Sequence, residues 1–315
     1  MWSSRIACIA LLLAGVGPSH EVLVPTLTFI ATANAVSYTG ATPHFVDSEA
    51  TTLGVDPLKL DGHLRQIAEV KGGACLNRRT GRVIRALVPM HTFGHPADLD
   101  ALIAVCEEWR IILVEDAAES LGSYYHDRHT GSLGVLGTLS FNGNKVITTG
   151  GGGAVLTNDG DLGRRAKHLT TTARVAHRWS FLHDEVGYNY RLPNLNAALG
   201  CAQLEQLPVM IERKRRLAQR YIDAFATIAG VSVKREPDGC RSNYWLNTLM
   251  LDEPDLRARD AILDALKDSG IMARPVWTLM HTLPMYSEAP RMDLAGALAL
   301  EARIINLPSS PSLVD

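Results

Sequence analysis

Cysteine is scarce in this chain of 315 residues, and its five copies lie far apart. No two of them form a C-x-x-C pair, which excludes the usual patterns of a disulfide framework or a structural zinc site. Because reduced thiols are the simplest account of scattered cysteines, we expect a cytoplasmic protein. The five are Cys8, Cys75, Cys106, Cys201 and Cys240.

The chain also lacks a large charge excess and a long hydrophobic run. Its formal net charge is -2, and no basic tract occurs, so we expect neither nucleic acid nor a membrane surface as partner. The apolar residues 6–14 follow Arg5 like the core of a signal peptide, but they are too few to span a bilayer. They lead directly to a predicted buried strand at residues 22–24, so we interpret them as a core helix.

Three motifs of nucleotide and metal chemistry are missing. The residues around Lys145 do not have the spacing of a P-loop, and no G-x-G-x-x-G joins a strand to a helix. His91 and His95 are four residues apart, but a glycine and a proline would break any helix there, so we expect no metal site. The four glycines at 150–153 indicate a tight turn or a close approach of the backbone to a flat ligand.

Strand-like and helix-like stretches alternate, which is typical of a parallel sheet covered by helices. Strands are predicted at residues 22–24, 43–47, 84–89, 111–114, 138–141 and 154–157, and helices at 29–36, from Asp98 onward, at 195–207 and at 211–228. Pro193 and Pro208 would lie near the starts of the last two helices. A strand, a helix and a strand at 244–251, 256–268 and 271–276 then predict a smaller α+β domain. The fold class is therefore α/β, with a large domain over residues 1–208 and a small domain over 209–315.

Lys145 and Asp116 are the strongest candidates for catalysis. Asp116 ends a predicted buried strand, and Lys145 follows in a loop rich in serine and glycine. A lysine amine can form a Schiff base with the aldehyde of pyridoxal phosphate, and an aspartate can keep the pyridine nitrogen of that cofactor protonated. The pair therefore indicates pyridoxal phosphate chemistry, with a solvated surface lysine and a capping aspartate as the structural alternatives.

Four segments occur in the order found in one enzyme family. They are residues 25–35, residues 115–120, Ser140 and Phe141 with Lys145, and residues 187–191. In these segments the chain resembles the DegT/DnrJ/StrS sugar aminotransferases over essentially its whole length. The resemblance implies a fold-type-I pyridoxal phosphate enzyme, a homodimer with shared active sites that acts on keto sugars attached to nucleotides.

One subgroup is most similar around Lys145, at residues 170–173 and at residues 183–186. It comprises the UDP-4-keto-6-deoxy-N-acetylglucosamine aminotransferases of legionaminic acid and bacillosamine-type pathways. The similarity implies transfer of an amino group from an amino acid, glutamate by analogy, to C4 of a UDP-linked keto sugar for cell-surface polysaccharide. A different nucleotide-sugar modification, such as dehydration at C3, is disfavoured because dehydratase relatives replace the lysine with histidine.

The resemblance also assigns roles at the cofactor. Lys145 corresponds to the Schiff-base lysine, Asp116 to the partner of the pyridine nitrogen and Phe29 to the aromatic residue that stacks on the ring. Glu119 occupies a position where many members have a glutamine beside the ring hydroxyl, which is a departure from the family pattern.

The phosphate contacts implied by the resemblance are Ser140, Ser4 and, from the other subunit, Asn189. The family usually begins earlier, with a Ser-Gly-Thr turn where this chain has residues 2–4, so the glycine is lost. The chain therefore resembles a member trimmed at both ends, and we expect weakened cofactor binding. A catalytically impaired or non-catalytic member of the family is the corresponding alternative.

Overall fold

The computed structural model describes residues 2–314, and their side chains from residue 4 onward. The α-helices are α1 (Trp2–Leu13), α2 (Ile30–Tyr38), α3 (Pro57–Ile67), α4 (Leu99–Trp109), α5 (Gly160–Thr170), α6 (Asn194–Phe225), α7 (Leu256–Asp268) and α8 (Ala295–Glu301). Short 3-10 helices occur at Thr92–Gly94, Met280–Thr282, Pro284–Tyr286 and Pro311–Val314.

The strands fall into two larger sheets and two small ones. They are β1 (His20–Pro25), β2 (Thr42–Val46), β3 (Ala68–Lys71), β4 (Ala74–Asn77), β5 (Val83–Leu87), β6 (Ile112–Asp116), β7 (Tyr124–Tyr125), β8 (Arg128–His129), β9 (Leu136–Ser140), β10 (Gly153–Leu156), β11 (Arg174–Val175), β12 (Leu182–His183), β13 (Val231–Val233), β14 (Cys240–Arg241), β15 (Asn247–Leu251), β16 (Arg274–Pro275) and β17 (Ile304–Leu307).

The main sheet has the strand order β10-β9-β6-β5-β1-β2, and the β3–β4 hairpin pairs with β5. Strands β2, β1, β5, β6 and β9 run parallel to one another, whereas β10 is antiparallel to β9 and β4 is antiparallel to β5. The predicted mostly parallel α/β sheet is thus confirmed. Because parallel strands end at one edge, the loops after β1, β5, β6 and β9 meet there.

Both faces of this sheet are covered by helices. In β1, Leu23 packs into the cluster formed with α3 and α4, whereas Val22 and Val24 pack into the cluster formed with α1 and α2. Successive side chains of a strand point to opposite faces, so the middle of β1, at residues 22–24, is apolar because it is buried on both sides. The predicted core helix before this strand is confirmed as α1, whose side chains Ile9, Ala10 and Leu11 are fully buried.

The two long helices expected at 195–207 and 211–228 are one helix. Helix α6 continues through Pro208, so the predicted break is wrong. A proline inside a helix removes one hydrogen bond, but contacts at both ends hold α6 together. Asn196 near its start donates to the carbonyl of Thr149, and Ile222 near its end packs into the core of the second sheet.

That second sheet has the order β13-β15-β17-β16 and is antiparallel throughout. Helix α7 has the predicted bounds, and the predicted strand at 271–276 is reduced to β16. Helices α3, α5 and α8 and strands β3, β4, β13 and β17 are among the elements that were not predicted. The boundary between residues 208 and 209 falls within α6, and the division into two domains stays a prediction.

Candidate active site

A cavity lies at the carboxyl edge of the main sheet. Its wall comes from α1, from the segments that follow β1, β5, β6 and β9, and from two tryptophans of the C-terminal part. The lining residues are Ala7, Phe29, Ala31, Thr32, Met90, Asp116, Ala118, Glu119, Thr138, Leu139, Asn142, Asn144, Lys145, Trp245 and Trp277. Lys145 and Asp116, predicted from different segments of the chain, therefore face the same space.

Asp116 is the last residue of β6 and is largely buried. Thr32 donates from Oγ1 to Asp116 Oδ2 at 2.6 Å, and the backbone N–H of Ala118 donates to Oδ1 at 3.1 Å. A carboxylate oxygen can accept more than one hydrogen bond, so both oxygens keep capacity for a further donor from the cavity. The carboxylate is thus fixed in direction and still available.

The ammonium of Lys145 has two partners in the cavity. Its Nζ lies 3.3 Å from Glu119 Oε1 and 4.1 Å from the centroid of the Trp245 ring. Little of the lysine side chain is exposed, and almost none of the Glu119 side chain is. A lysine that is largely removed from water, on a cavity wall and beside an acid, has the placement of a reactive amine rather than of a solvated surface charge.

Glu119 is held in a position that disfavours its charge. Burial raises the pKa of Glu119 to about 7, although the nearby Lys145 ammonium and the N–H of Phe93 act in the opposite direction. Phe93 donates that N–H to Glu119 Oε2 at 3.1 Å. Because its pKa is close to neutrality, Glu119 can exchange a proton with a group in contact with it.

The loop that carries Lys145 joins two antiparallel strands, β9 and β10. Within this loop, the N–H of Lys145 donates to the carbonyl of Asn142, and the N–H of Phe141 donates to the carbonyl of Gly152.

The four glycines at 150–153 turn the chain and are not in the wall of the cavity. Gly152 has φ of +110°, and a Cβ on Gly153 would lie 2.3 Å from the carbonyl oxygen of Leu139. Of the two interpretations, the structure supports a tight turn.

Phe29 precedes α2 and lies at the cavity with about 44% of its surface exposed. Its ring centroid is 6.1 Å from that of Trp277, which in turn lies 5.0 Å from Phe93. The predicted aromatic residue is therefore at the cavity, and its stacking on a cofactor ring stays a prediction.

The two serines predicted for the phosphate are buried beside the cavity wall. Ser4 precedes the lining residue Ala7 by three positions in α1, so both are on one side of that helix. Ser140 comes two positions after the lining residue Thr138 in β9, so the two side chains share one face of the strand, and Ser140 Oγ accepts the N–H of Asn142 at 3.4 Å. Residue 1 and the side chains of residues 2 and 3, which belong to the predicted phosphate turn, lie outside the described part of the chain.

Asn189 is exposed and does not belong to the cavity wall of its own chain as far as the structure describes it. Thr171 pairs with it in an isolated antiparallel bridge. Its neighbour Tyr190 lies against α1, with its ring centroid 5.4 Å from the guanidinium carbon of Arg5. Whether Asn189 serves a second subunit stays a prediction.

One group of potential metal ligands occurs among the described residues. His168, Asp184 and Glu185 are close together at the end of α5, but the group is largely exposed and the guanidinium of Arg165 pairs with Glu185.

None of the helices within residues 2–314 combines the length and apolar character that crossing a bilayer requires.

Sequence reasoning assigned no role to Thr32, Trp245 and Trp277, which contact the candidate residues in the cavity. Thr32 lies three positions after Phe29 in a segment already noted for its resemblance, so helical spacing could have placed it near the strand ends. Trp245 and Trp277 have no such signal, because each comes from a segment about a hundred or more residues beyond Lys145 in the sequence.

The comparisons with known proteins agree with this fold and identify the family. The model of the DegT/DnrJ/EryC1/StrS aminotransferase family matches residues 5–315. A GDP-perosamine synthase from Escherichia coli is 37% identical over 306 residues, which cover 97% of this chain and 78% of that protein. A protein with the same name from Caulobacter vibrioides is 35% identical over 98% of this chain and 78% of that protein. The chain belongs to the DegT/DnrJ/EryC1/StrS aminotransferase family.

A solved structure supports the same assignment. DesV from S. venezuelae, in complex with a ketimine intermediate, has a TM-score of 0.85 and 30% identity, covering 99% of this chain and 79% of that chain. The protein is a sugar aminotransferase, and its cofactor is pyridoxal 5'-phosphate. A cavity with a largely buried lysine and an aspartate with spare acceptor capacity fits that cofactor.

Proposed function

We propose that this enzyme transfers an amino group from an amino acid, most simply glutamate, to C4 of a 4-keto-6-deoxy sugar linked to a nucleoside diphosphate. The observation that carries the proposal is that Lys145 Nζ and the Asp116 carboxylate face one cavity at the carboxyl edge of the sheet. Family membership supports the sugar substrate and the amino transfer. The same lysine argues against the dehydration alternative.

In the proposed mechanism, pyridoxal phosphate supplies an aldehyde that binds amines and a ring that accepts electrons. Asp116, oriented by Thr32 and by the N–H of Ala118, would hold a proton on the pyridine nitrogen. Lys145 Nζ would pass its own proton to Glu119 Oε1, 3.3 Å away, and then accept the proton from the α-carbon of the amino-acid donor. Ser4 and Ser140 would bind the phosphate.

The nucleotide and the sugar are the finer part of the proposal. The resemblance around Lys145 indicates a UDP-linked N-acetylated sugar, whereas the relatives from Escherichia coli and Caulobacter vibrioides carry the name of a GDP-sugar enzyme. Both nucleotides are therefore candidates, and we keep the 4-keto-6-deoxy sugar that the resemblance around Lys145 implies.

The free state of all five cysteines supports a cytoplasmic enzyme.

The experiment compares UDP-linked and GDP-linked 4-keto-6-deoxy sugars with glutamate as donor and detects the amino sugar and 2-oxoglutarate by mass spectrometry. We expect product with one nucleotide and none with Lys145→Ala. In Asp116→Asn, which can still bind the cofactor, we expect a large loss of rate because an amide provides no negative charge. If cofactor binds but neither sugar reacts, the non-catalytic alternative holds.

We also propose a homodimer in which Asn189 of one chain completes the site of the other. The region around Asn189 carries exposed apolar side chains, among them Trp179, Phe181 and Val186, and the first turns of α6 add Leu195. Several large apolar side chains exposed within one region of a chain are typical of protein interfaces. A second copy of the chain would cover it and bring Asn189 near the partner's cavity.

Mixing two inactive variants tests this arrangement. With a shared site, a dimer of one Lys145→Ala chain and one Asn189→Ala chain has one doubly defective site and one intact site. Random mixing should therefore restore about a quarter of the wild-type activity at limiting cofactor. If Asn189 acts within its own chain, both sites of the mixed dimer are defective and no activity returns.

A further inference from the structure

Trp245 contacts both the side chain and the main chain around Lys145. The face of its ring lies 4.1 Å from Lys145 Nζ, and its indole N–H donates to the carbonyl of Asn144 at 2.8 Å. The residue is buried, and it comes from a segment a hundred residues further along the chain. One tryptophan thus holds the ammonium through its face and the preceding peptide through its edge.

The main chain of Trp245 is itself fixed on two sides. Its N–H donates to Asn243 Oδ1 at 2.8 Å, and its carbonyl accepts from the buried Lys214 of α6 at 3.0 Å. Asn243 Nδ2 donates to the carbonyls of Glu119 and Leu121, each at 2.9 Å. The position of the indole is therefore tied to the segment that carries Glu119 and to α6.

Tyr244 lies between these two residues in a left-handed conformation, with φ of +47°. Non-glycine residues rarely adopt this conformation, so surrounding contacts must maintain it. Tyr244 has such contacts, because its hydroxyl accepts the N–H of Glu236 and its ring lies 5.3 Å from that of His95. The backbone in this conformation directs Asn243 toward Glu119 and Trp245 toward Lys145.

We propose that Trp245 is a positioning residue for Lys145. The face of the Trp245 ring stabilises the Lys145 ammonium, and the indole N–H of Trp245 fixes the loop that carries Lys145. The amine therefore points into the cavity before the cofactor binds. This inference rests on the proposed role of Lys145. The acid partner of the ammonium changes its charge near neutral pH, since burial raises the pKa of Glu119 to about 7. The ring face is a partner whose attraction does not change with pH.

The test measures cofactor fixed on Lys145 by borohydride at a limiting concentration of pyridoxal phosphate, as a function of pH, with peptide mass spectrometry for the site. In Trp245→Leu the ammonium loses its ring partner. The pH at half-maximal fixation should then fall by about 0.4 to 1.5 units. The maximal yield should fall as well, because the loop is no longer held.

Trp245→Phe keeps an aromatic face and loses the N–H, so its midpoint should lie near that of the wild type while its yield is reduced. Trp109→Phe is the matched control, because Trp109 is also buried and donates its indole N–H, at 2.9 Å to Asp61, in a different part of the core. We expect wild-type behaviour from it in both measurements.

The outcomes separate this inference from the proposed function. If the wild type itself fixes no cofactor on Lys145, the proposed role of the lysine fails. If the wild type fixes cofactor and Trp245→Leu lowers the yield without moving the midpoint, the effect is a general loss of structure and the positioning role is overturned. A midpoint shift in Trp245→Leu that Trp245→Phe restores supports the inference.

Discussion

Thr32 Oγ1 donates a hydrogen bond of 2.6 Å to Asp116 Oδ2, although the two residues are 84 positions apart. Thr32 belongs to the first turns of α2, and Asp116 is the last residue of β6. Both residues are buried, which strengthens the hydrogen bond because their surroundings have a lower dielectric constant than water. The bond fixes the orientation of the Asp116 carboxylate in the wall of the cavity.

Thr32→Val should therefore lower activity without changing the fold. The substitution keeps the shape of the side chain and removes a hydrogen bond to a charged group, which is a loss of about 1.5–3 kcal/mol. If the whole free energy of this hydrogen bond stabilises the transition state, kcat/KM in the amino-transfer assay falls about tenfold to a hundredfold. Thr32→Ser keeps the hydroxyl and should retain most of the activity. Equal rates for the valine and serine variants would contradict the prediction.

Glu119→Gln should remove a pH dependence of stability in the cofactor-free protein. Burial raises the pKa of Glu119 from an ordinary value of 4.5 to about 7. Between these values the folded chain binds more protons than the unfolded chain, so the free energy of unfolding decreases as pH rises through this window. The contribution is at most about 3 kcal/mol. Denaturant unfolding at pH 5 and pH 8 should show a smaller decrease in Glu119→Gln than in the wild type.

His63 should have the opposite effect in acid. Its Nε2 lies 2.9 Å from that of His44, whose Nδ1 faces the buried carboxylate of Glu21 at 2.8 Å. Burial, together with His44 and Arg79, lowers the pKa of His63 to about 4. Because the unfolded chain then binds more protons below pH 6.5, stability decreases as pH falls from 6.5 to 4, by at most about 3 kcal/mol.

In His63→Gln that acid-induced loss should be smaller, because glutamine does not titrate and can still donate to His44 Nε2. The measurement is the free energy of unfolding at pH 7 and pH 4.5. His177→Gln, at an exposed position, serves as the control and should follow the wild type. An identical acid loss in the His63 variant would show that this histidine does not contribute.

Pro208→Ala should stabilise the protein. Pro208 is exposed and lies inside α6, where proline is about 3 kcal/mol less favourable than alanine. We expect the free energy of unfolding to rise by about 1–3 kcal/mol, measured by denaturant unfolding. Pro193→Ala is the control, since Pro193 stands at the N-cap of the same helix and costs it no internal hydrogen bond. A loss of stability in Pro208→Ala would mean that the packing of α6 requires the proline.

The sequence by itself determined the parallel sheet and the place of its catalytic candidates. The apolar runs at residues 22–24 in β1 and 112–114 in β6 are recognisable without tertiary information because strands buried on both faces are apolar on both, and Asp116 ends β6. Lys145 could be predicted because glycine-rich loops and the surrounding motif are local features. The same local reasoning predicted a helix break at Pro208. The helix continues there because the packing at both ends of α6 stabilises it by more than one missing backbone hydrogen bond destabilises it.

The tertiary structure alone decided which distant side chains surround these candidates. Thr32 reaches Asp116 only because parallel strands end at one edge, and Trp245 reaches Lys145 only because Asn243 and Lys214 fix its main chain. The raised pKa of Glu119 likewise depends on burial by segments far away in the sequence. Contacts of this kind are set by the geometry of packing, which periodicity and motif spacing along the chain do not contain.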